Sequence, residues 1–171
     1  AMAPLLLGVL VLLSLVGDGP SSVIIMSERR GLDGSDDLPL RRAVLDARRY
    51  LYELSAELPS VGELTATTNR SIDGSALLGT EHRVLVAKAD RLAHIHPQLV
   101  DDGSPPPREP GSHFVQLVNL AASEGNASNA SGSSGVLIVC SGVDSAATLY
   151  AVYSLLELLG VRFRNHGDVI P

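Results

Sequence analysis

Tryptophan is absent from this 171-residue chain, cysteine occurs once, and aromatic residues make up only 4% of it. The missing tryptophan implies an aliphatic core and removes the largest ring used for stacking against sugars. A single cysteine, Cys140, excludes an intrachain disulfide and a cysteine-based metal cluster. Set in the apolar run GVLIVCSG, it reads as a small buried hydrophobe. Positive charge is also scarce. Thirteen Lys and Arg stand against 19 Asp and Glu, for a net charge of −6, and they form no stripe that would neutralise a phosphate backbone. Nucleic acid is therefore not an expected partner.

What is present is a globular composition, 45% hydrophobic and 19% charged, at a length suited to one domain with a sizeable core. The opening run APLLLGVLVLLSLVG is apolar over about 14 residues, the length of a signal-peptide core and short of the roughly 20 needed to span a bilayer. Residues 1–19 are accordingly expected to be a signal peptide, and 20–171 a single α/β domain without a stable membrane span. Three glycosylation sequons, at Asn69, Asn126 and Asn129, fall in polar stretches and favour the same secreted, extracellular destination.

The periodicities predict a mixed α/β fold: one mixed sheet with two main helices, about 39–57 and 145–159, packed on it. Val23–Met26 is a β-branched run that opens the sheet. Asp36 or Asp37 caps a helix with Pro39 in its first turn and Leu40, Val44, Ala47, Leu51, Leu54 and Leu58 on one face, the arginines on the other. Residues 59–79 read as loop, with a short strand near Leu64–Thr67. His82–Ala87 is the next strand, followed by a mixed segment and a Pro-rich surface excursion at 101–112. His113–Asn119 and Gly135–Cys140 are expected to neighbour each other as a hairpin with a long decorated loop. Asp144 or Ser145 then caps a helix apolar around most of its circumference, expected to be buried on several sides and to end at Gly160. Val161–Phe163 turns into a short strand.

Motifs that carry chemistry are few. There is no GxSxG elbow, no Cys placed beside a His by motif, and no carboxylate pair set on one face by spacing. His94 and His96 have a spacing a strand can offer to a metal, but no third ligand accompanies them, and a turn ended by Pro97 is the simpler reading. GLDGSDD at 31–37 lacks the ligand ladder of an EF-hand and reads as an acidic turn. Val139–Ser145 has the strand, Gly turn and helix start that can cradle a phosphate, yet it offers one glycine and no Walker lysine. No catalytic residue, cofactor or metal ligand is assigned. The polar concentration Arg162, Arg164, Asn165, His166 and Asp168 is the candidate surface, facing a partner domain or a sugar, or simply solvent.

Residues 141–171, SGVDSAATLYAVYSLLELLGVRFRNHGDVIP, resemble the end of the N-terminal, non-catalytic domain of microbial α-glucuronidases and, more distantly, of β-N-acetylhexosaminidases. The matching positions are Thr148 to Tyr153, Leu156–Glu157 and Leu159 to Phe163. The resemblance implies a mixed sheet with packed helices, preceding a (β/α)8 barrel that carries the catalytic acids of a glycoside hydrolase. It implies an accessory role in carbohydrate metabolism, with the downstream catalytic domain of the same polypeptide as partner and polysaccharide as the more distant one. A stand-alone glycan-binding or protein-interaction module, and a small nucleotide-binding domain, are the competing readings.

Overall fold

The computed structural model describes residues 23–28, 37–55, 58–64, 82–95, 109–119, 136–164 and 167–170. Five strands, β1 (Val23–Glu28), β2 (Ser60–Leu64), β3 (His82–Lys88), β4 (His113–Asn119) and β5 (Val136–Gly142), form one sheet in the order β2-β1-β3-β5-β4. Four of the five run parallel, and β4 pairs antiparallel with β5 at one edge. Among the described residues three helices, α1 (Leu38–Ser55), α2 (Ala89–Ile95) and α3 (Ser145–Leu158), accompany the sheet in an α/β fold.

Strand alternation divides the core into two layers, because successive side chains point to opposite faces. Ile25, Val84, Val86, Ile138 and Cys140 face α1 and α3. Met26, Leu85, Ala87, Leu137 and Val139 face the opposite way, toward Leu92 and Ile95 of α2. Strands β3 and β5 carry uninterrupted apolar runs because both of their faces are covered, as expected of the centre of a parallel sheet. The Val115↔Cys140 and Leu117↔Ile138 pairs place β4 beside β5, the hairpin neighbours the alternating pattern predicts.

Helix α3 is defined at both ends by local chemistry. Asp144 is extended, and its carboxylate accepts the Ala147 backbone N–H at 2.7 Å, satisfying a donor the first turn cannot pair. At the other end the Gly160 N–H reaches the Glu157 carbonyl and the Val161 N–H the Leu156 carbonyl, each at 3.0 Å, with Gly160 at φ 100°. This is the Schellman arrangement, and its left-handed residue is the reason a glycine stands there. Gly142 has a different reason. A Cβ built on it would lie 2.4 Å from the Ala147 carbonyl carbon and from the Thr148 nitrogen, so the strand end and the helix backbone touch directly.

Several expectations are corrected. A strand lies at Ser60–Leu64, inside the stretch read as loop, where its register against Ile24–Glu28 sets it and no alternation announces it; residues 65–67 of the expected Leu64–Thr67 strand lie outside the described residues. The mixed segment after β3 contains helix α2, too short to display a period, which buries Ala89, Arg91, Leu92 and Ile95. His94 therefore lies on a helix and is exposed, rather than in a turn or on a strand. Leu58 lies beyond the end of α1 and is exposed, while Asp46 and Tyr50 join the buried face. Val161–Phe163 forms no strand but a single antiparallel bridge, Arg162↔Val169. Finally, α3 buries one broad face through Ala147, Thr148, Ala151, Val152, Leu155 and Leu156, and leaves Tyr150 in solvent.

Candidate functional site

The helices that follow β1 and β3 fall on opposite faces of the sheet, which makes the carboxyl ends of these two strands a topological switch point, the place where open α/β sheets bind ligands. At this edge Asp37 organises three elements. Its Oδ1 accepts the Leu40 N–H at 3.2 Å, capping α1, and its Oδ2 accepts the hydroxyl of Ser145 at the start of α3. The ammonium of Lys88, the last residue of β3, stands 3.9 Å from Oδ2. The capping role of Asp37 is legible in the sequence; its link to Ser145 and Lys88 is not. A lone lysine closing an apolar strand is the one sign of it.

At this edge the N-termini of α1 and α3 are each occupied by a carboxylate, Asp37 on α1 and Asp144 on α3. An incoming phosphate would meet negative charge where it needs free N–H donors. The geometry thus disfavours the nucleotide-type reading of Val139–Ser145, and the Gly142 contact with α3 accounts for the turn glycine by packing alone.

The described members of the C-terminal polar group, Arg162, Arg164 and Asp168, take separate places. Asp168 folds back over α1 and accepts the Tyr50 hydroxyl, and Phe163 lies between two tyrosines, with centroids 5.5 Å from Tyr50 and 5.1 Å from Tyr153. The Arg49 guanidinium sits 5.1 Å from the Tyr50 ring centroid. Arg162 Nη1 donates to the Glu157 carbonyl at 3.1 Å, closing the C-terminal end of α3, and the Arg162 backbone pairs with Val169 in both directions at 2.8 and 2.9 Å. Arg164 is exposed. Asn165 and His166 lie outside the described residues, as do His96 and the sequons at Asn69, Asn126 and Asn129.

Beneath this strap the carboxylate of Asp46, itself buried, accepts from Arg42 Nε and from the Tyr153 hydroxyl, each at 2.8 Å, and so ties α1 to α3. Burial first, and the Asp46 hydrogen bond second, push the Tyr153 hydroxyl above its ordinary pKa. Burial alone pushes the Cys140 thiol up to about 12, which marks it as an inert core residue. Among the described residues no group of three His, Cys, Asp or Glu side chains is placed to hold a metal, and no helix is long and apolar enough to cross a membrane.

Comparison with protein-family models, with curated proteins and with solved structures finds no match for this chain.

Proposed function

We propose that this chain is the N-terminal accessory domain of a secreted, α-glucuronidase-like glycoside hydrolase, bracing a catalytic domain that follows it in the same polypeptide. The observation that carries the reading is the run from β5 through α3 to Phe163, where the resemblance lies. Its residues do structural work: Thr148, Ala151, Val152 and Leu156 fill the core, Gly160 and Val161 close the helix, and Phe163 packs on Tyr50 and Tyr153. A motif spent on packing suits a scaffold whose partner performs the chemistry, in line with active sites at the mouth of a barrel built from its own loops. The hydrolysis of a glycosidic bond then belongs to the partner domain, and this domain supplies no catalytic acid. Secretion is part of the same proposal, resting on the apolar leader and the sequons.

The test is to read the coding sequence beyond the Pro171 codon and to assay the extended chain beside the 171-residue one on glucuronosyl-substituted xylan. A following stretch with repeating strand and helix patterns, and hydrolysis by the extended chain only, is the expected result. A stop codon directly after Pro171, or hydrolysis by the 171-residue chain alone, overturns the reading.

A further inference from the structure

A small side-chain cluster lies outside the contacts described so far, on the seam between β4 and α3. Tyr150 is 56% exposed, and the His113 ring lies 6.2 Å from its centroid at an interplanar angle of 42°. His113 Nε2 is 3.1 Å from Ser154 Oγ, and His113 Nδ1 is 3.2 Å from the Gly111 carbonyl oxygen. A carbonyl only accepts, so the neutral imidazole carries its proton on Nδ1 and accepts the Ser154 hydroxyl at Nε2. That contact fixes the hydroxyl: its hydrogen is spent on the imidazole, and its lone pairs remain for an outside donor. Ser154 stands four residues after Tyr150, on the same face of α3.

A serine beside a histidine invites a nucleophilic reading, but Ser154 sits within α3, where the backbone N–H groups are committed to the helix ladder. Among the described residues no backbone N–H free of the helix ladder is shown beside it to hold a developing oxyanion. What the cluster offers is an exposed ring face next to a hydrogen-bond acceptor. The exposed charges nearest in sequence, Glu109 before Gly111 and Glu157 one turn past Ser154, are both negative.

We propose that Tyr150, His113 and Ser154 form a surface subsite for a neutral pyranose ring of an oligosaccharide. The apolar face of the sugar stacks on Tyr150, and one sugar hydroxyl donates to Ser154 Oγ, held in place by His113. The flanking carboxylates select against uronic acids and phosphorylated sugars. This inference is independent of the hydrolase reading, since a single-ring platform binds a glycan with or without a downstream barrel.

The experiment is an amide-shift titration of the 15N-labelled full chain with cellohexaose and, separately, with glucuronic acid. Cellohexaose is expected to shift residues 111–114 and 150–154, and glucuronic acid to leave them unmoved. Tyr150→Ala should weaken binding about tenfold, a loss of the size one aromatic contact supplies. Tyr52→Ala, at another exposed tyrosine, should change nothing. Because Tyr150 is largely in solvent, its removal leaves the core intact, which the dispersion of the free spectrum verifies. No shifts at about 20 mM cellohexaose, well above a millimolar Kd, would overturn the proposal. So would shifts elsewhere only, equal shifts with glucuronic acid, or an unaltered response in Tyr150→Ala.

Discussion

The hydroxyl of Tyr50, in the middle of α1, donates to the carboxylate of Asp168, 118 positions further along the chain. With Phe163 edge-on to the same ring and the Arg162↔Val169 bridge behind it, this contact holds the C-terminal strap against the first helix.

One consequence is a dependence on alkaline pH. Burial first, and Asp168 second, raise the Tyr50 pKa from 10.0 to about 12. The folded chain thus holds this proton more tightly than the unfolded one. The associated stability is fully present below pH 10 and is lost as pH rises from 10 toward 12. Urea midpoints measured at intervals from pH 8 to 11.5 should fall over that window, and Tyr50→Phe, which has no proton to lose, should flatten the fall. An equally steep fall in the variant would show that Tyr50 does not cause it.

Cys140 should be chemically silent in the folded chain. It is fully buried, and its thiol is pushed up to about 12. A thiol-reactive disulfide reagent at pH 8 is expected to leave it unmodified for hours without denaturant and to modify it stoichiometrically within minutes in concentrated guanidinium. Rapid labelling of the folded chain would place the thiol at the surface.

Gly142→Ala should be far more costly than a glycine-to-alanine change in a loop. The new methyl would meet helix backbone at 2.4 Å, and backbone has no rotamer by which to retreat. A loss of about 3 kcal/mol, or a chain that does not fold, is expected by thermal or denaturant melting, at the upper end of overpacking penalties. A change below about 0.5 kcal/mol, the range of ordinary surface substitutions, would mean that α3 does not press on the end of β5.

The link between the two helix starts is open to a double-mutant cycle. Asp37→Ala removes a cap and should cost about 1 kcal/mol. Ser145→Ala should cost less, and the double variant should fall short of the sum by roughly 0.5 kcal/mol or more, as contacting residues do. Strict additivity in chemical denaturation would dissolve the proposed contact.

The sequence made the elements with strong local signals readable: the apolar β5, the capped and glycine-terminated α3, the Pro39 start of α1 and the alternating β4. What escaped depends on tertiary partners. β2 owes its place to the register of β1, α2 is shorter than the period that would betray it, and Asp46 and Tyr50 are buried because α3 and the strap cover them. Within the polar run at the C-terminal end, the backbone pairing of Arg162 with Val169 and the reach of Asp168 to Tyr50 likewise depend on partners that local pattern does not reveal. Lys88 and Ser145 meet Asp37 only because three elements end at the same sheet edge.

The placement of β5 also bears on how the chain is made. This strand lies between β3 and β4 but comes after both in the sequence, and α3, which covers half the core, comes later still. During synthesis from the N-terminus, β1 and β3 emerge with one apolar face lacking α3 and with β3 lacking its second neighbour. The growing chain must wait for residues beyond 136 before its sheet can close, an interval in which bare strands invite wrong pairings and chaperones.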